Sequence, residues 1–205
     1  NLPLIRDAQK AARAMGINVW RDKYSLTANR YSSASYNFEA PNTQLSGSLD
    51  TTISTGSALT AEVYDYFDGM SVRSDIDAIN KVRMESIEAG SRRVVFESEC
   101  AHLQVGALFT LSDHYRKDQN GDYLLVGVTH EGRNGGYGVF GNDDSVGFNS
   151  VATCISTKVQ FRENTKTAKP KVYGVQTATV VGPQNEEIYT DKYGRIKVQF
   201  HWDRD

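Results

Sequence analysis

Apolar and polar positions along this chain follow two different periods. Over residues 75–89, "DIDAINKVRMESIEA", the spacing is helical: Ile76, Ile79, Arg83 and Ile87 fall on one face, with Val82 beside them. Ser74 is the expected N-cap, Asp77 takes the capping-box position in place of Glu, and Gly90 is the expected stop. A weaker helical pattern covers Leu2 to Met15 through Leu4, Ile5, Ala8, Ala11, Ala12 and Met15, and ends at Gly16.

Most of the rest reads as strands. "INVWRDKYSLTANRY" is rich in β-formers, and "SRRVVFESECAHL" and "SVATCISTKVQF" alternate. "GALFTLSDHYRKDQNGDYLLVGVTHEG" reads as two strands around an Asn120-Gly121 turn, with Phe109 and Leu111 opposite the 124–130 strand. The Ser-, Thr- and Asn-rich stretch from Ser32 to Thr60 reads as mobile surface loop with short strands. The glycine-rich "GRNGGYGVFGNDDSVGFN" reads as an insertion loop or loose hairpin.

After a polar linker, "RENTKTAKP", Val172, Val175, Ala178 and Val180 suggest one strand and Gly182-Pro183 a turn. Ile188 and Tyr189 lead into a second strand, and Asp191 to Gly194 form a tight turn, with Gly194 suited to positive φ. Ile196, Val198, Phe200 and Trp202 then alternate with Lys197, Gln199, His201 and Asp203, predicting a strand with one apolar and one polar face. These few strands do not make an independent sheet. With no initiator Met at the start, the chain is expected to be a piece of a longer protein.

Composition narrows the function. Lys and Arg number 23 against 25 Asp and Glu, so the balance carries no electrostatic footprint for nucleic acid or an anionic membrane. No run approaches the ~20 apolar residues of a membrane span. The two cysteines, Cys100 and Cys154, are too few for a disulfide framework and are expected to be buried thiols.

Two constellations have ligand-type residues. His201, Asp203 and Asp205 would share a strand face and reach a divalent ion, but Arg195, Lys197 and Arg204 lie close by and would pair the carboxylates instead. Cys100, His102, His114 and His130 are of zinc-binding type without zinc-binding spacing. No G-x-S-x-G or phosphate-loop motif occurs. No metal or cofactor is expected, and no catalytic residue is assigned. The alternatives are an OB-type module binding oligosaccharide or nucleic acid, or a metal-dependent enzyme using His201 and Asp203.

The segment "GVQTATVVGPQNEEIYTDKYGRIKVQFHWDRD" resembles the signature of VgrG proteins, the tip of the type VI secretion apparatus. "SYNFEAP", "VRMESIEA", "GALFTL", "GDYLLVGVTHEG" and "FRENTKTAKP" resemble the same family, in the same order. The resemblance implies a mainly β protein with minor α. Residues 1–169 would be the later part of a phage tail hub-like β-barrel module, and 170–205 the opening strands of an OB-like spike barrel. It further implies a non-enzymatic homotrimeric tip that punctures a target membrane and carries effectors. Its partners would be an Hcp-like tube protein at the base and spike-tip or effector proteins. Such a protein would reside in the bacterial cytoplasm until firing, then outside the cell or inside a target. The signature residues expected at interfaces are Glu187, Asp191, Tyr193, Gly194, Arg195, His201, Trp202, Asp203 and Arg204.

Overall fold

The computed structural model describes residues 2–5, 16–53, 60–133, 147–165, 167–184, 186 and 189–204. They fall into two compact units, residues 1–164 and 165–205.

The first unit is built on six strands: β1 (Leu2–Pro3), β2 (Ile17–Tyr24), β6 (Arg92–Ser98), β7 (Leu108–Ser112), β8 (Gly121–Arg133) and β9 (Gly147–Ser156). Their order in the sheet is β1-β7-β8-β9-β6-β2. The two ends of this order meet, because Leu4 bridges Ile17 and the Ile5 amide donates to the Ile17 carbonyl at 2.8 Å. The sheet therefore curls towards a barrel, which removes the exposed edges an open sheet would leave there. Gly16 allows this approach: a methyl group on it would sit 2.3 Å from Cδ1 of Ile5. Leu2 to Ile5 are thus extended and not helical, and the remainder of that expected helix, 6–15, lies outside the described residues.

Alternation fills the interior. Val94, Phe96 and Ser98 of β6, Tyr123 and Leu125 of β8, and Ser150, Ala152 and Cys154 of β9 all point inward. Trp20 packs on Phe96 and Tyr123 at centroid distances of 5.9 and 5.0 Å, and Phe109 on Phe96 and Tyr123 at 5.2 and 5.7 Å. These offset and tilted ring pairs add to the burial of the core.

The β7–β8 connection differs from the expected two-residue turn. Gly121 already pairs with Leu111 in the ladder, so the chain crosses through 113–120, with a 3₁₀ turn at Lys117–Gln119. Asn120 stabilises that loop: its Oδ1 accepts from the His114 amide at 3.0 Å. Phe109 lies opposite Tyr123, one position before the expected stretch. The strands flanking the glycine-rich segment pair antiparallel up to Arg133 and Gly147, while 134–146 lie outside the described residues.

A second sheet joins β3 (Arg30–Ser35), β4 (Leu45–Asp50) and β5 (Glu62–Tyr66) in the order β4-β3-β5. The Ser-rich stretch is therefore not mobile surface throughout, since Ser32, Ser33 and Ser35 are buried in its central strand. They tolerate burial because their hydroxyls are satisfied: Ser33 donates to Asn80 Oδ1 at 2.5 Å, Ser35 to the Met70 carbonyl at 3.1 Å, and Ser32 to Glu62.

Helix α1 (Arg73–Ser91) covers this sheet. It buries Ile76, Asn80, Met84 and Ala89. That line is rotated from the expected face, on which Ile79, Arg83 and Ile87 are only half-buried and Val82 is exposed. Val72, not Ser74, occupies the N-cap, without a side-chain cap, and Gly90 is inside the helix. The helix passes directly into β6 at Arg92, whose φ of −136° is extended, so no glycine-type stop is required.

The described residues of the second unit form one two-stranded antiparallel sheet, β10 (Ala178–Val181) with β11 (Lys197–Phe200), in register from Ala178↔Phe200 to Val181↔Lys197. The first strand is shorter than expected, and Val172 and Val175 are exposed non-strand residues. Of the strand expected from Ile188 and Tyr189, only a single bridge, Thr190↔Ile196, is described.

Candidate functional site

In the second unit the structure organises part of the signature. The turn at 191–194 forms: Gly194 has a φ of 74°, and its amide donates to the Asp191 carbonyl at 3.0 Å. Asp191 ties it down, as Oδ1 accepts from the Tyr193 and Arg195 amides at 2.9 Å each and Oδ2 accepts from Arg195 Nε at 2.5 Å. The Arg195 amide does most to hold the Asp191 carboxyl below the usual carboxylate range; burial opposes it and is outweighed with the help of the Arg195 guanidinium and the Tyr193 amide. The Tyr193 ring lies beneath two cations, with Lys192 Nζ 4.6 Å and Arg195 Cζ 5.2 Å from its centroid. The result is a hydrogen-bonded, exposed turn presenting an aromatic ring and both charge signs.

Of the expected His201, Asp203 and Asp205 face, the two described residues, His201 and Asp203, do not lie on a strand. Strand β11 ends at Phe200, His201 and Trp202 are in a turn, and the Asp203 amide donates to the Phe200 carbonyl at 3.0 Å. A turn breaks the two-residue alternation that would have aligned His201 with Asp203. Trp202 instead folds back: its indole stacks on Phe200 at 5.2 Å, and Nε1 donates to Gln176 Oε1 at 3.1 Å. His201, Asp203 and Arg204 are exposed, and Glu187 and Asp205 lie outside the described residues. Ile196, Val198 and Trp202 are exposed too, so the apolar side of the alternation is uncovered here.

The Cys100, His102, His114 and His130 set is also not assembled. His102 is exposed, and His114 Nδ1 accepts from the Arg116 amide at 3.1 Å. His130 Nδ1 meets Ser150 Oγ at 2.8 Å and Nε2 meets the Leu103 carbonyl at 3.1 Å. Ser150 in turn reaches the Cys100 carbonyl, so His130 pins the 100–103 segment to β8 and β9. Among the described residues no group of three His, Cys, Asp or Glu is placed to hold a metal ion. Both cysteines are free and buried, and burial pushes the Cys154 thiol far above its ordinary range.

Sequence reasoning missed the main polar tie of the first unit. Arg92 grips Asp22 and also donates to Gln119 Oε1 at 2.6 Å, Trp20 Nε1 reaches the same oxygen at 3.3 Å, and Tyr24 OH donates to Asp22 at 3.0 Å. Gln119 is buried in the β7–β8 loop, far from Trp20 in sequence. The available signal was the alternation of Trp20, Asp22 and Tyr24 on one strand face.

The model of the phage tail baseplate hub (GPD) matches residues 1–136. The chain belongs to that family. Among curated proteins it is 35% identical over 185 residues to the Pseudomonas aeruginosa type VI secretion system spike protein VgrG1b, covering 90% of this chain and 25% of that one. To VgrG1a of the same organism it is 41% identical over 146 residues, covering 69% and 22%. A Vibrio cholerae protein named actin cross-linking toxin VgrG1 is 28% identical, and the match covers 69% of this chain and 13% of that protein. The chain thus spans about a quarter of the length of the first relatives it matches. In fold it is similar to a tail protein from Neisseria meningitidis MC58, with a TM-score of 0.53 at 9% identity, covering 77% of this chain and 44% of that one. The VgrG resemblance and the mainly β, hub-like fold read from the sequence are both borne out.

Proposed function

We propose that this chain is the late hub and early spike segment of a homotrimeric type VI secretion tip, a structural part and not a catalyst. The observation that carries the reading is the hub-family match together with spike-protein relatives over most of the chain. On this reading residues 1–169 belong to the hub-like module and 170–205 open an OB-like barrel. The curled sheet suits a part under load, since strands hydrogen-bonded around a barrel leave few edges to peel. The hydrogen-bonded turn at Asp191 to Arg195, with Tyr193, suits contact with a neighbouring subunit, where mixed charges set register. His201, Asp203, Arg204 and Glu187 are assigned to the same interface or the surface beside it.

The partners are then two further copies of the protein, an Hcp-like tube protein at the base, effector or tip proteins beyond the spike, and, transiently, a target membrane. The protein waits in the bacterial cytoplasm and leaves on firing. No helix among the described residues is long and apolar enough to cross a membrane. Sedimentation equilibrium on the natural protein that carries this segment tests the reading. A trimer is expected across the concentration range. A monomer throughout would overturn it.

A further inference from the structure

A groove of about 510 Å³ lies in the first unit, between α1, the end of β4 and the turn after β9. That volume is in the range of small-molecule sites, roughly 300–1,000 Å³. Its floor is apolar, formed by Leu49, Ile53, Met84 and Val159.

The charges around it are unevenly committed. Three of the lining carboxylates already face an arginine: Asp50 with Arg30 at 2.6 Å, Asp77 with Arg73 at 3.4 Å, and Glu85 with Arg162 at 2.7 Å. The fourth, Glu88, accepts from the Thr51 hydroxyl and from the amide and hydroxyl of Thr52. The two lining ammonium groups, Lys81 and Lys158, form no ion pair with any described residue. The groove therefore offers an apolar floor and two uncommitted cations.

We infer that this groove binds a small anionic amphiphile, its apolar chain over Met84 and Leu49 and its carboxylate against Lys81 and Lys158. An uncharged chain would use the floor but leave the cations idle. A cationic one would meet repulsion from both lysines, with only Glu88 lacking a cationic partner to attract it.

Decanoate is the probe, with decanol and decyltrimethylammonium as equal-length controls, titrated into the 205-residue chain. The sequence holds three methionines, so methyl-¹³C methionine gives a sparse spectrum in which Met84→Leu identifies the Met84 signal. Decanoate is expected to shift that signal saturably and to leave Met70 unmoved. Lys81→Gln and Lys158→Gln, both at exposed positions, should each weaken decanoate about threefold, and added salt should weaken it further. The double Lys→Arg variant, which keeps both charges, should bind like the parent. Absence of a saturable shift overturns the proposal. So does equal binding of decanol or the cation, or undiminished decanoate binding by a folded double Lys→Gln variant.

Discussion

Arg92 holds both carboxylate oxygens of Asp22, through Nε at 2.9 Å and Nη2 at 2.8 Å, across the β2–β6 pair. This two-point pair is set apart by partial burial from the exposed two-point pairs Arg30–Asp50 and Arg116–Asp118, which contribute little. It also carries the Gln119 link to the β7–β8 loop. Replacing Asp22 with Asn removes the charge but keeps the shape. Equilibrium denaturation at pH 7 should show a loss of about 1.5–3 kcal/mol, the range for hydrogen bonds to charged groups. Burial acts to raise the Asp22 pKa, but the hydrogen bonds from Arg92 and Tyr24 outweigh it and the net shift is downward. A depressed folded pKa means the stabilisation is present above the unfolded value and lost as pH falls through the folded one. The gap between parent and Asp22→Asn should therefore close below about pH 4.

Two glycines near the same helix should respond in opposite directions. A methyl group on Gly47 would lie 3.0 Å from Asn80 Nδ2 and 3.2 Å from Ile76 Cγ2, both buried residues of α1. Asn80 is held by Ser33 and Ile76 is fully buried, so neither yields freely, and Gly47→Ala should cost about 1–3 kcal/mol. Gly90 is inside α1, and a methyl group there meets nothing within 4 Å. Gly90→Ala should stabilise by roughly 0.5–1 kcal/mol, through helix propensity alone. Urea midpoints of the two variants compare them directly. A stabilising Gly47→Ala would show that helix and sheet are not closely packed.

What the sequence made legible follows from how local each signal is. The 191–194 turn was readable because Asp191 and Gly194 fix it within four residues. The β6, β8 and β9 strands were readable because their alternation survives in the core. The helix face was misread because Asn80 is polar, and its burial depends on Ser33, which arrives from β3. The end of β11 was misread for the opposite reason. Alternation continues in the letters through Trp202, but the backbone turns after Phe200, and the partner strand gives out at Ala178. The Asp22, Arg92 and Gln119 cluster needed three separate strand and loop contacts that no local pattern encodes.

Gly194 tests the turn of the second unit. At a φ of 74° a β-carbon is strained, and the strain grows with branching. Gly194→Val should open the turn, Gly194→Ala should cost about 1 kcal/mol, and Gly194→Asn should be the mildest, since Asn visits this region most readily. The amide resonances of Tyr193 and Arg195, both donors to Asp191, report the turn. Their collapse towards random-coil positions in Asn as well as Val would place the conformational demand elsewhere. If the turn sits at a subunit contact, Gly194→Val should also lower trimer content of the natural protein.

The cysteines test the closed core of the first unit. Cys154 is fully buried on β9 between the β6 and β8 strands, and Cys100 is buried in the same cluster. Burial disfavours the thiolate, which is the reactive form, and also blocks access to reagent. In native buffer at pH 8 a chromogenic disulfide reagent should therefore titrate almost no thiol, and in denaturant both. The native rate should follow the opening equilibrium, rising when Asp22→Asn or Gly47→Ala lowers stability and falling with Gly90→Ala. Fast labelling of Cys154 that ignores those three substitutions would mean the sheet opens locally at β9, and that the barrel is not the cooperative unit of the fold.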